Sequence, residues 1–329
     1  MSAKQGTEQT SRSTREAFGT ALVRLGETHP QIVAMDGDVA TSVMTAEFGE
    51  RFPDRHFQFG IAESNFVGVA AGMVMAGKIP FAASFACFIT GRFETIRMSL
   101  GYNRTNVRIV GTHVGVGIGP DGHSQMGLED VSLMRTVPNM AVIQPASGIE
   151  TERAVEYLVD HVGPAYLRLT RQKLPELYPD DYTFEFGKAA VLAEGSDIGL
   201  VASGATVTEA LDASVELAKH GISAAVVNVH TIQPLDDALL ADLASETGRI
   251  VTIEDHTPAG GLGGAVCESL SECRPTPVLR LGVRGFGESG DPDELYDRFG
   301  LSAGRIAAAA AAFCESPAEV ALATAGARP

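Results

Sequence analysis

Basic residues are scarce in this chain. Twenty-five Lys and Arg stand against 41 Asp and Glu, a net charge of −16. A nucleic-acid partner wants a basic footprint, and this balance provides none. A local basic pocket for an anionic small molecule remains compatible with it. Cysteine is scarce as well. Cys87, Cys267, Cys273 and Cys314 show no C-x-x-C spacing, so they read as reduced thiols of a cytoplasmic protein, not as a disulfide frame or a zinc site. No N-terminal stretch has the apolar centre of a signal peptide, and no apolar run reaches transmembrane length. The opening "MSAKQGTEQTSR" is polar and reads as a flexible arm, residues 1–13.

What is there is a globular composition, 45% hydrophobic and 20% charged over 329 residues, enough for two or three domains. Short apolar runs alternate with helical patterns. "QIVAMDGD", "HFQFGI", "IPFAASF", "VRIVGTHV", "MAVIQPA" and "AYLRLT" read as strands, with helices over 65–76, 92–102 and 149–159. "DIGLVASG", "SAAVVNVHT", "RIVTIED" and "VLRLGV" repeat the habit, with helices over 207–220, 236–246 and 264–273. Continuous apolar runs belong to strands covered on both faces. The expectation is an α/β chain of two doubly wound domains with largely parallel sheets. The period is lost in "RQKLPELYPDDYTFEFGK", which holds two prolines and an acidic cluster. That places domains at 14–180 and 191–329 with a linker at 181–190. The late "AAAAAAF" is a run of good helix formers.

Three clusters carry chemistry. Glu63 sits between a strand-like run and an apolar helix rich in Gly68, Ala70, Ala71 and Gly72. Taken alone it is a helix-start acid for free N–H groups. Such a helix, apolar nearly all round, would be packed on all sides or lie at a subunit interface. A carboxylate there has lost its water and suits a ring nitrogen. The second cluster, "GTHVGVGIGPDGHSQMGLED", brings His113, Asp121, His123, Gln125, Glu129 and Asp130 into a glycine-rich loop after a strand, where doubly wound folds place ligands. The spacing matches no standard zinc pattern, and no metal ligand is assigned. In the third, "SFACFITGRFE", Phe93 reads as core, while Phe85 and Phe88 lie just past a strand, where a pocket for a flat heterocycle forms.

Several of these stretches resemble the transketolases. "FGIAESNFVGVAAGM" is similar to the family's G-I-x-E segment, and "GTHVGVGIGPDG…LEDVSLMRTVPNMAVIQPA" to its substrate loop and following strand. "LRLTRQKLPEL" resembles the S-R-Q-x-L-P turn, and "RIVTIEDHTPAGGLGGAV" the C-terminal domain. Together they cover most of residues 14–290 in family order. The resemblance implies a pyrimidine-binding domain followed by a transketolase C-terminal domain, with thiamine diphosphate as cofactor. Glu63 would be the glutamate that bonds the aminopyrimidine ring and favours the tautomer that activates the thiazolium carbon. Phe85 and Phe88 would flank that ring, with Asp38 of "MDGDVATS" nearby. Arg15, Ser42, His113 and Arg171 match the phosphate-end anchors of a sugar phosphate, and Asp121 the aspartate that reads a donor hydroxyl.

Two departures stand out. The family pattern D-G-x-x-H-Q puts a histidine four positions after Asp121. Here that position is Gln125, and His123 lies two positions earlier. Gln125 can hydrogen-bond but cannot donate a proton in acid–base fashion, and His123 is the candidate to compensate. The catalytic set implied is thus Glu63, His113, Gln125 and His123. The second departure is that the family's G-D-G and later asparagine, which hold the diphosphate through Mg2+ or Ca2+, do not occur, and the glycines of "AGGLGGAV" do not replace them. The resemblance therefore implies a split transketolase. An N-terminal, diphosphate-binding subunit would supply metal and diphosphate in an alpha2beta2 heterotetramer that moves a two-carbon ketol unit from a ketose phosphate to an aldose. Three alternatives remain: the beta subunit of a 2-oxo acid dehydrogenase, where "HSQ" also occurs; a transketolase of specialised metabolism with an unusual donor or acceptor; and a non-catalytic homologue, against which Glu63 argues. Glu254, Asp255 and His256 end a strand of the C-terminal domain and are left outside the site, as are the loop charges Glu50, Arg51, Asp54 and Arg55.

Overall fold

The computed structural model of the chain describes residues 11–316. Its first half contributes strands β1 (Ser11–Ser13), β2 (Ile32–Asp36), β3 (His56–Gln58), β4 (Ile79–Phe85), β5 (Arg108–Thr112), β6 (Ala141–Ile143), β7 (Ala165–Arg168) and β8 (Lys173–Pro175). The second contributes β9 (Ala190–Ala193), β10 (Ile198–Ala202), β11 (Ala224–Asn228), β12 (Thr231–Gln233), β13 (Ile250–Ile253) and β14 (Val278–Leu281).

The larger sheet has seven strands in the order β12-β6-β7-β5-β4-β2-β3, parallel except where β12 joins β6. Its strands alternate between two cores. Phe81, Ala83, Val110 and Leu167 face Phe18, Leu22 and Leu158 of helices Thr14–Thr28 and Gly148–Asp160. Ala82, Ile109, Val142 and Tyr166 face Phe66, Val67 and Ala70 of helix Glu63–Met75. This two-residue alternation, apolar on both faces, is why the strands read as continuous hydrophobic runs. The smaller sheet runs β14-β13-β10-β11-β9, parallel but for β9.

The structure departs from expectation at several places. Ser11–Ser13, assigned to the flexible arm, form β1, which pairs antiparallel with β8; residues 1–10 lie outside the described residues. Ser13 then caps helix Thr14–Thr28 in a capping box with Glu16, a helix the sequence pattern did not reveal. The stretch 181–190 is no free spacer: Tyr182 donates its hydroxyl to Glu150 at 3.2 Å, and Phe186 stacks on Tyr157. The helix expected over 92–102 is a short turn, Phe93–Thr95, followed by a π-helical stretch, Ile96–Tyr102. Helix Glu63–Met75 is buried on one side only. Gly68 and Gly72 face open space, and Met75 is 82% exposed. Arg55 is no solvated loop charge: it lies 3.9 Å over the Phe52 ring and bonds the carbonyls of Gly26 and His29. Among the described residues no helix is long and apolar enough to cross a membrane.

Candidate active site

The carboxyl ends of β2, β4, β5 and β7 lie side by side, and the candidate residues follow them in sequence. Glu63 opens its helix after Gly60, whose φ of +65° lets the chain turn sharply out of the β3 end. Its side chain is buried, 5% exposed, and Oε1 accepts the Ser84 hydroxyl at 3.4 Å. Gly37 lets the backbone pass close by, since a Cβ there would stand 3.1 Å from the Gly60 carbonyl oxygen and from the Phe66 ring. A buried carboxylate with one long bond to a hydroxyl still has acceptor capacity to offer.

His113 follows β5 in a left-handed conformation, φ +57°, uncommon away from glycine and often met at functional sites. It is 3% exposed. Its Nε2 lies 3.4 Å from Arg15 Nη1, and its Nδ1 2.8 Å from Thr112 Oγ1. A guanidinium only donates, so Nε2 is the acceptor and the proton sits on Nδ1, directed at Thr112. Thr112 in turn donates to the Ser84 carbonyl at 3.4 Å. Burial, with Arg15 and Arg171 adding repulsion, pulls the His113 pKa down to about 3, so the ring is neutral. The Phe85 ring lies on it at 3.6 Å, and Phe88 stacks on Phe85 at 5.3 Å with planes 7° apart.

Around His113 stand the expected anchors. Arg15 donates to the Ser42 carbonyl at 2.7 Å, and burial and the neighbouring Arg171 hold its pKa below the usual arginine range. Arg171 donates to Asp121 Oδ2 at 3.2 Å and to the Ile118 carbonyl at 3.0 Å. Arg15, Ser42, His113, Arg171 and Asp121 thus converge. The other candidates stand further out. Asp38 is exposed at φ +69°, its N–H held by Gln58. The buried acid of that segment is Asp36, which accepts from His56, Gln58 and Thr45. Gln125 is half-buried on the turn His123–Gln125, and His123 is tied away to the second half: its Nδ1 accepts the Gly287 N–H at 3.0 Å, edge-on to Phe286.

The residues left out of the site prove to hold its loop. Asp255 is 1% exposed, and its Oδ1 accepts the Val116 N–H at 2.8 Å. The Thr257 N–H reaches the Leu128 carbonyl, and His256 Nε2 faces the Ser132 N–H. Beneath the loop, Arg168 bonds Asp130 at 2.7 Å and the carbonyls of Gly127 and Asp255 at 2.9 Å. Burial would raise the Asp130 pKa, but Arg168 outweighs it and holds the carboxyl below its usual range. Three polar residues directly after β13 were the available signal, the same one that marked His113 after β5.

An aminopyrimidine ring fits these residues. Glu63 offers a buried acceptor and Phe85 and Phe88 a stacked aromatic wall. Among the described residues no His, Cys, Asp or Glu cluster is arranged to hold a metal ion.

The geometry defines an α/β protein with a site lined by two arginines, Arg15 and Arg171, at the carboxyl edge of a parallel sheet. Comparison with known proteins is specific. Residues 10–176 match the transketolase pyrimidine binding domain and residues 187–306 the transketolase C-terminal domain. The "Putative transketolase C-terminal section" of Methanocaldococcus jannaschii is 40% identical over 298 residues, 89% of this chain and 93% of that protein. The 6-deoxy-6-sulfo-D-fructose transketolase subunit SqwH of Clostridium sp. (strain MSTE9) is 39% identical, over 90% of this chain and 92% of that one. A solved structure described as "Split gene transketolase, inactive beta4 tetramer" superposes with a TM-score of 0.84 at 44% identity, over 90% of this chain and 96% of that one. The chain belongs to the transketolase family and corresponds to its C-terminal section, a beta-type subunit.

Proposed function

We propose that this chain works with an N-terminal, diphosphate-binding transketolase subunit to transfer a two-carbon ketol unit from a ketose phosphate to an aldose or aldose phosphate. The observation that carries the reading is the pair Arg15 and Arg171 facing a neutral, buried His113. Two guanidiniums brought close together repel, and a tetrahedral oxyanion between them relieves that repulsion. The M. jannaschii relative, a C-terminal section by its description, and the split-gene structure support a two-chain enzyme. An alpha2beta2 assembly, with Mg2+ or Ca2+ and the diphosphate held by the partner, is the arrangement proposed. The first domain would extend to about residue 180 and the second begin near 191. The free cysteines support a cytoplasmic setting.

In this assembly Glu63 holds the aminopyrimidine through its buried carboxylate, and Phe85 and Phe88 pack the ring and exclude water. Thiamine diphosphate, when bound, supplies the nucleophilic carbon and the electron sink for carbon–carbon cleavage. His113 orients a sugar hydroxyl through its ring without changing charge, and Arg15 and Arg171 fix the far end of the substrate. Asp121, carried on the same loop, reads a donor hydroxyl. Gln125 and His123 shape the donor side of the loop.

The SqwH relative, by its name, acts on 6-deoxy-6-sulfo-D-fructose. A sulfonate has a phosphate's tetrahedral oxygens with less charge, so the arginine pair can also receive a sulfonated ketose, which is the second reading. The test is co-expression with a chain carrying G-D-G and the later asparagine, followed by assay with xylulose 5-phosphate and ribose 5-phosphate, thiamine diphosphate and magnesium. Transfer only when both chains are present bears the proposal out. A cofactor-loaded complex inert toward the phosphate but active on the sulfonated ketose selects the second reading, and one inert toward both refutes the assignment.

A further inference from the structure

The loop that carries His113 and Asp121 and the turn that carries Arg171 both belong to the first half of the chain. A ring of hydrogen bonds joins them, and it closes through the second half. Arg171 Nη1 donates to the Ile118 carbonyl and to Asp121, which fixes the turn to the far end of the loop. The next residue, Gln172, donates through Nε2 to the Tyr296 hydroxyl at 3.0 Å. That hydroxyl donates onward to Asp255 Oδ2 at 2.7 Å. Asp255 Oδ1 then accepts the Val116 N–H, back on the loop, at 2.8 Å. Tyr296 is 6% exposed and Asp255 1%, so water does not compete with these bonds.

The loop is shaped to this ring. Gly115, at φ +74°, passes so close to Asp255 that a Cβ there would lie 1.9 Å from Oδ2. At Gly117 a Cβ would lie 1.3 Å from Gln172 Oε1. That Oε1 is buried and has no hydrogen-bond partner in the protein. The backbone between His113 and Asp121 is therefore laid directly on Asp255 and Gln172, with no side chain to cushion it.

We propose that Asp255 and Tyr296 are positioning residues. They belong to the C-terminal half and set the spacing between the His113 loop and Arg171, and with it the affinity for the substrate's phosphate end. The inference rests on the phosphate-end reading of Arg15 and Arg171. The ring meets the chain at Gln172, directly beside Arg171, whereas His113 is held separately by Thr112 and the Phe85 stack, so the effect falls on binding of the anion and not on the chemical step.

The test uses the complex with the partner subunit and two near-isosteric substitutions. Tyr296→Phe keeps the ring but removes the hydroxyl that links Gln172 to Asp255. KM for ribose 5-phosphate should rise about tenfold, the worth of one hydrogen bond of ordinary net strength. KM for unphosphorylated ribose and kcat should stay within about twofold. Inorganic phosphate, titrated calorimetrically against the same complex, should weaken in step with ribose 5-phosphate. Asp255→Asn should retain most of the affinity. Its amide donates to the Tyr296 hydroxyl, which then donates to Gln172 once the Gln172 side-chain amide flips to turn its oxygen toward the hydroxyl. Equal losses on ribose and ribose 5-phosphate would mean general loosening and overturn the inference, as would wild-type phosphate affinity in Tyr296→Phe. A wild-type complex that binds phosphate but transfers no ketol unit would overturn the transketolase reading while the ring is still judged by calorimetry. A wild-type complex that binds no phosphate would leave nothing to position and overturn the inference itself.

Discussion

The ring of Phe85 lies flat on the imidazole of His113, centroids 3.6 Å apart and planes 17° from parallel. One residue ends β4 and the other follows β5, so the stack joins the aromatic wall for a heterocycle to the anchor for a sugar. It also helps keep water from the imidazole. An unfolded histidine takes its proton near 6.5, whereas His113 takes its near 3. Between those values the unfolded chain binds more protons. This residue therefore removes stability as the pH falls from 6.5 toward 3, and removes none well above 6.5. His113→Gln should lose less stability than the native chain between pH 7.5 and pH 5, read from denaturant midpoints. The His113 ring proton resonance should not titrate between pH 5 and 8, and a midpoint near 6.5 would contradict its burial.

Glu63→Gln keeps the volume and one oxygen but loses the carboxylate. Turnover by the complete complex should fall at least about a hundredfold, the scale of a positioned proton-transfer group. The circular dichroism spectrum and the melting temperature should change little. Near-normal turnover would remove Glu63 from the cofactor's chemistry.

Arg171→Ala deletes a guanidinium that faces the His113 pocket and frees Asp121. Loss of a charge-assisted hydrogen bond, about 1.5–3 kcal/mol, corresponds to a ten- to hundredfold rise in KM for phosphorylated substrates. Ribose and glycolaldehyde should be affected several-fold at most. Parallel losses would show that Arg171 holds the loop and not the phosphate.

Asp130→Ala strands the Arg168 guanidinium, whose side chain is 0% exposed. Breaking a buried pair by removing one partner costs about 3–5 kcal/mol. Urea unfolding should show a correspondingly lower midpoint. An unchanged midpoint would mean that the carbonyls of Gly127 and Asp255 suffice for Arg168.

The sequence marked the strands well where they are long and buried. "IPFAASF" is β4 residue for residue, and the helix expected over 207–220 is Thr206–Lys219. It failed where elements are short. "SAAVVNVHT" reads as one strand, yet the chain leaves β11 after Asn228, turns at Val229 and His230, and enters the other sheet as β12. Three residues carry no periodicity to betray such a crossing. The site divides in the same way. Glu63, Phe85 and His113 were legible because each ends or follows a strand of the first half. Asp255 carried the same strand-end signal but Tyr296 carried none, and what the two do depends on how the two halves dock, which no local pattern encodes. His123 was legible as a loop histidine, but its tie to Gly287 was hidden for the same reason.

The strand β12 has a consequence for anyone who would cut this protein into modules. It supplies the outermost rung of a sheet whose other six strands come from before residue 170. A fragment ended in the stretch near residue 185 would carry β6 with bare backbone donors and acceptors along one side, an invitation to pair with another chain. Severing the polypeptide there would yield a sticky ladder and an orphaned rung, so the two halves must be inherited, expressed and engineered as one piece.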